Sequence, residues 1–134
     1  MTALNTIRLA DYQPPAFTVK HHELKFDLQN NGEVLVSHVQ KIVRCQPSHD
    51  ENGWELPQDK HVVLHAEHLA LESIEIDGKP LAAEQYEYDG LLLRLKNVSS
   101  NFNLRTVVRL KPDENKELSG LYRSNGIYCT QCEA

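Results

Sequence analysis

The chain has 134 residues, enough for one domain that buries roughly 65 to 70% of the surface its unfolded form would expose. Its 40% hydrophobic and 25% charged residues fit a globular protein with a packed core, and exclude a disordered or collagenous chain. A formal net charge of -5, with Lys and Arg scattered, argues against nucleic-acid binding, and no segment approaches the roughly 18 apolar residues of a membrane span.

The start of the chain, Met1 to Ala16, carries no charged segment followed by an apolar one, so a cytoplasmic protein is expected. Pro14 and Pro15 hold the stretch around Tyr12 and Gln13 extended, and residues 1–16 read as a lead-in arm. From Thr18 to Leu28 the apolar Leu24, Phe26 and Leu28 alternate with Glu23, Lys25 and Asp27, the period of a half-buried strand. Gln29 to Gly32 then supplies turn residues.

Glu33 to Cys45 is rich in β-branched residues. Leu35, Val39 and Val43 fall on one face and Val34, Val36 and Ile42 on the other, so a long strand covered on both sides is expected. Gln46 to Lys60 holds two prolines, a glycine and many acidic and amide side chains; it reads as a surface loop with Trp54 as its anchor. His61 to Leu71 is ambiguous, strand-like at Val62, Val63 and Leu64 and helix-compatible at Ala66 to Leu69.

Ile74 and Ile76 lead into Asp77-Gly78, and Tyr86 and Tyr88 into Asp89-Gly90; both are tight-turn signals, and together they suggest a meander of two hairpins. Leu91 to Leu95 is apolar except for Arg94, and Phe102, Leu104, Thr106, Val108 and Leu110 alternate with polar partners. With no amphipathic helix in the pattern, the expected fold is all-β, an antiparallel β-sandwich or saddle-like open sheet of about seven to eight strands in a single domain, 1–134.

Two groups of side chains suggest metal chemistry. His61, His65 and His68 have spacings that zinc could use, but Val62 follows His61 where the His-Glu-x-x-His motif needs its general base, so solvent-facing histidines are the expected reading. Cys129-x-x-Cys132 has the spacing of half a zinc site or of a redox dithiol. A zinc ribbon needs a second pair that Cys45 alone does not supply, and a redox dithiol should open a helix in a βαβ unit. No metal ligand and no catalytic residue is therefore assigned within the chain. The last stretch, from Gly126 to Ala134, is rich in functional side chains where a terminus ordinarily tapers into small polar residues.

Glu117 to Ser124, followed by Tyr128 to Ala134 with its Cys-Thr-Gln-Cys-Glu-Ala, resembles the end of the N-terminal domain of the bacterial aminopeptidase N family of zinc exopeptidases. A weaker likeness extends over Asp11-Tyr12-x-Pro-Pro, His22 to Leu28, Val34 to Arg44 and the strands around Ile76. The resemblance implies a β-rich saddle that docks on a catalytic domain lying beyond the end of this chain, where the zinc ligands and the general base would reside. It implies no peptidase activity for the 134 residues alone. It also implies that Glu133 binds the α-ammonium group of peptide substrates with a free N-terminus, that Gln131 lines the first specificity pocket, and that Cys129 and Cys132 are small apolar fillers. The alternatives from other classes are a free-standing β-sandwich that binds a partner without catalysis, and a metal or redox module built on the two cysteines.

Overall fold

A computed structural model describes residues 6–133; Met1 to Asn5 of the arm and Ala134 of the final motif lie outside the described residues. Ten strands run in the order β1 (Phe17–Leu28), β2 (Val34–Arg44), β3 (Val62–His65), β4 (Ala70–Ile76), β5 (Lys79–Pro80), β6 (Tyr86–Tyr88), β7 (Leu92–Leu95), β8 (Asn101–Leu110), β9 (Gly120–Ser124) and β10 (Ile127–Gln131). Among the described residues the only helical pieces are 3-10 turns at Leu9–Asp11, Ala83–Gln85 and Pro112–Glu114. The all-β class expected from periodicity is the fold observed, as open antiparallel sheets.

The strands form a five-stranded sheet in the order β1-β2-β8-β4-β5, a three-stranded sheet in the order β3-β7-β6, and the β10-β9 hairpin. β8 is the spine of the large sheet, pairing with β2 along Val34↔Leu110 to Val43↔Asn101 and with β4 along Ala70↔Arg109 to Ile76↔Leu104. Its alternation of Phe102, Leu104 and Thr106 with Asn101, Asn103 and Arg105 turns one face wholly inward. Leu93 and Leu95 of β7 and Val62 of β3 close over that face, and with Ile42, Ile74 and Val98 they form the core. Phe17 meets Phe102 edge-on with ring centroids 6.4 Å apart, and the Arg44 guanidinium lies 4.9 Å from the Phe17 centroid.

On β2 the side chains Val34, Val36 and Ile42 are buried, whereas Leu35, Val39 and Val43 are half-buried. Among the described residues the strand is therefore covered fully on one face only. Trp54 does not anchor its loop; it is 73% exposed. The loop is held by polar contacts instead, since the Asp50 carboxylate accepts from the Asn52 and Trp54 amides at 2.9 Å and a short bridge joins His49 to Glu55.

The ambiguous stretch from His61 to Leu71 becomes a strand, a turn and a strand. His68 takes a positive φ of 55°, which ends β3 and starts β4, and the Tyr88 hydroxyl sits 2.6 Å from the Ala66 carbonyl oxygen while accepting from the Leu69 amide at 2.9 Å. One half-buried phenol thus takes up polar backbone groups of the connection.

Asp77-Gly78 is a two-residue hairpin turn with positive φ at both positions, joining β4 to β5. Asp89-Gly90 works differently. Only Gly90 has a positive φ, and the Asp89 carboxylate accepts from the Leu92 amide at 2.7 Å and the Leu91 amide at 2.9 Å. The two hairpins lie in different sheets, so the meander expected from sequence is absent: β5 is only two residues long and ends in Pro80, after which the chain crosses to the smaller sheet.

Phe102→Ala removes the largest fully buried side chain and should lower unfolding stability by about 3–5 kcal/mol, seen as a fall in the urea midpoint at unchanged m. Asp89 gives a pH-dependent test. The Leu92 and Leu91 amides, and then Arg94 at 3.0 Å, hold its carboxyl at about 2 against an ordinary 3.8. Because the folded value is the lower one, the stabilisation is present above 3.8 and is lost as pH falls through about 2. Asp89→Asn keeps an acceptor for the amides but cannot titrate, so the urea midpoint of the variant should fall less steeply than that of the parent across this window.

Candidate functional site

The residues singled out at the end of the sequence lie on the β9–β10 hairpin. Its turn is Asn125-Gly126, with φ of 49° and 80°, and its ladder runs from Ile127↔Ser124 to Gln131↔Gly120. Asn-Gly is a strong short hairpin signal that the sequence reading passed over, although it marks this hairpin without any family likeness.

Polar clamps hold the hairpin to the rest of the domain. Arg123 Nη1 lies 3.5 Å from Asp113 Oδ2, and its guanidinium stacks 5.0 Å from the centroid of the Tyr128 ring. Arg123 Nε is buried without a hydrogen-bond partner, so this guanidinium is held by its flanks. Asn115 Nδ2 donates to the Ser119 and Leu121 carbonyl oxygens at 2.7 and 3.0 Å. Gly32, at a φ of +83° in the turn between β1 and β2, comes close to both clamping groups: a Cβ there would stand 3.0 Å from Asp113 Oδ2 and 3.2 Å from Arg123 Nη1. The side chain of Arg123, near the turn end of the hairpin, is therefore seated beside the β1–β2 turn.

Gln131 closes β10 and Glu133 follows it, and both are exposed. Gln131 Nε2 donates to Glu133 Oε1 at 3.2 Å, which brings the two sequence-predicted site residues together. The amide orients one carboxylate oxygen and leaves the other free. Such an arrangement can accept a hydrogen bond from a cationic donor, but by itself it offers no nucleophile or general base beside a bound water or metal.

The other candidates do not converge. His61 and His65 are exposed and His68 sits in the positive-φ turn, and among the described residues no group of three His, Cys, Asp or Glu side chains is placed to hold a metal. All three cysteines are free. Cys129 is half-buried with its Sγ 3.7 Å from the Ile127 carbonyl oxygen, and Cys45 Sγ lies 3.0 Å from the Pro15 carbonyl oxygen. Cys132 is exposed, so within this chain it does not fill an apolar gap as the resemblance implied.

A different cluster had no sequence signal because it joins two strands. His22 of β1 and His38 of β2 stack with centroids 5.1 Å apart, and His22 Nδ1 lies 2.9 Å from His38 Nε2. Burial first, and then the neighbouring His22, pushes the His38 imidazole below its ordinary value. His38 also borders a small, mainly apolar cavity of about 90 Å³ between the two larger sheets, with Gln40, Leu64, His65, Tyr88 and Thr106 among its walls. No residue of the β9–β10 hairpin lines it.

No family model matches the chain. It is 38% identical over 128 residues to "Aminopeptidase N" of Caulobacter vibrioides, a match covering 96% of this chain and 14% of that protein. It is 32% identical over 124 residues to "Aminopeptidase N" of Escherichia coli, covering 92% of this chain and 13% of that one. The chain thus spans about a seventh of the length of the relatives it matches. Among solved structures, Legionella pneumophila aminopeptidase A in complex with aspartic acid superposes with a TM-score of 0.74 at 25% identity, over 91% of this chain and 13% of that one. An M1 zinc metallopeptidase from Deinococcus radiodurans shares the fold at a TM-score of 0.55 and 11% identity, over 83% of this chain and 25% of that one. By sequence and by fold alike, the chain belongs to the aminopeptidase N family, matching one domain-sized stretch of its much longer members.

Proposed function

We propose that this chain is the N-terminal, non-catalytic β domain of a cytoplasmic zinc aminopeptidase, and that it supplies Glu133 and Gln131 to the substrate site. In this reading the catalytic domain follows the chain and docks on it, and it carries the zinc, which would activate the attacking water. Among the described residues no group of three His, Cys, Asp or Glu side chains is placed to hold a metal, and Cys129 Sγ lies 3.7 Å from the Ile127 carbonyl oxygen of its own strand. No step is therefore assigned to them.

The observation that carries the reading is the Gln131 to Glu133 hydrogen bond at the open end of an otherwise well-anchored hairpin. An exopeptidase must measure from the amino end of its substrate, and a carboxylate at a fixed place rewards only a peptide whose first residue bears a positive nitrogen. Glu133 accepts a hydrogen bond from that ammonium group through the oxygen Gln131 leaves free. Gln131 fixes the carboxylate and offers its own amide to the first side chain. In a site closed to water by the docked domain, one such charge-assisted bond contributes about 1.5–3 kcal/mol.

In the full-length enzyme, Glu133→Gln and Glu133→Ala should lower kcat/KM for unblocked aminoacyl substrates by about tenfold to hundredfold. Metal analysis of the same preparations should show the zinc content of the parent. Kinetics equal to the parent's with zinc in place would refute the assignment.

A further inference from the structure

The face of the large sheet that meets the smaller one is apolar except at one place. Along β2 its inward positions are Val34, Val36, His38, Gln40 and Ile42, and along β8 they are Phe102, Leu104, Thr106 and Val108. His38 stands opposite Thr106 and Gln40 opposite Leu104, so Gln40 and Thr106 are diagonal neighbours on that face. The polar side chains that break the pattern therefore meet at one spot, and each of them borders the cavity of about 90 Å³ between the two larger sheets.

Gln40 and Thr106 are each only 8% exposed, and among the described residues neither side chain has a hydrogen-bond partner. A polar group so far inside a protein ordinarily has one. Neither head is sealed off: among the described residues the polar side-chain atom fully enclosed without a partner is Arg123 Nε, and the space that Gln40 and Thr106 share is this cavity. His38 adds a ring nitrogen, since its Nε2 faces His22 and its Nδ1 is unengaged among the described residues. The Tyr88 hydroxyl, by contrast, is already taken up by the backbone of Ala66 and Leu69.

The rest of the wall is mainly hydrocarbon, with Leu64 and Leu93 from the smaller sheet and Val108 from β8. No Asp, Glu, Lys or Arg lines the cavity, so an ion inside would lose its hydration and find no countercharge. Water alone would answer Gln40 and Thr106 but would also wet the leucine and valine walls. A molecule with a polar head and an apolar tail answers both. A cavity of about 150 Å³ holds benzene, so this one has room for about four heavy atoms. Its walls come from both sheets of this chain, with Gln40 and Thr106 deep among them, so the site does not depend on what covers the outer surface of the domain.

We propose that this cavity is a binding site for a small neutral molecule whose head both donates and accepts hydrogen bonds, a primary amide or an alcohol of about four heavy atoms. The head bonds to the Gln40 amide and the Thr106 hydroxyl, and the tail lies against Leu64, Leu93 and Val108. The site is separate from the β9–β10 hairpin, no residue of which lines the cavity.

The test is a methyl-resolved NMR titration of the 134-residue chain with acetamide and with propan-2-ol. Acetate, which has nearly the shape of acetamide but carries a charge, is the comparison. Acetamide and propan-2-ol should shift the Leu64, Leu93, Thr106 and Val108 methyl signals saturably, with a Kd of about 1–100 mM, and nuclear Overhauser contacts should join the probe methyls to Leu93 and Val108. Acetate should bind at least about tenfold more weakly near neutral pH. Thr106→Val and Gln40→Leu each remove a head contact and leave an apolar group, and each should weaken acetamide binding by about tenfold, with circular dichroism as the check on the fold. The comparison of acetamide with acetate needs no variant. Shifts that do not saturate by about 0.5 M, shifts that acetate produces equally, or variants that bind acetamide as the parent does overturn the proposal. So does a cavity that holds ordered water only, seen as water contacts to Thr106 and Val108 that acetamide leaves in place.

Discussion

The structure depends on one strand being buried on a face and bonded on both edges. β8 is that strand: β2 and β4 satisfy its backbone, and Phe102 and Leu104 turn into the gap that Leu93 and Leu95 fill from the smaller sheet. A central strand of this kind must match the pleat of two neighbours and the packing of a second layer together, and a slip of one residue would place Asn101, Asn103 and Arg105 in the core. Its partners come from distant parts of the chain, β2 about sixty residues earlier by number and β4 about thirty, so the fold is assembled from non-local contacts and cannot be nucleated by a single hairpin.

The chemistry sits away from that core. Gln131 and Glu133 extend from a hairpin that adds no residue to the main hydrophobic cluster and is fixed by Arg123, Asp113 and Asn115. Polar anchors beside an exposed open end suit a part whose position relative to a rigid scaffold matters more than its contribution to stability. Near the turn end of the hairpin lies the β1–β2 turn, where Gly32 leaves room for the clamp. Arg109 bridges Glu33 and Glu72 nearby at 2.5 and 2.7 Å, tying β8 to β4 and to the start of β2.

Much of this was legible in the residues because strands write their burial as a period of two. The alternation in β8 and the turn at Asp77-Gly78 were read directly from sequence. The misreadings have physical causes. Large aromatic side chains are usually covered, which makes Trp54 look like an anchor in sequence, yet here Asp50 organises the loop and the indole stays outside. Asp77-Gly78 and Asp89-Gly90 look alike, but one is a tight turn and the other a carboxylate cap, and neither pair tells which sheet its strands will join. The His22 and His38 stack could not be read at all, since register between strands decides it. The site was legible only through a family likeness, because a carboxylate near a chain end carries no pattern of its own.

The exposed Trp54 has a spectroscopic consequence. It is the only tryptophan, so the indole emission of this protein originates in the loop between β2 and β3, in contact with water, while Phe102 and its neighbours are silent at those wavelengths. Unfolding the core therefore moves that emission little, and a blue shift signals instead that something has come to cover the loop.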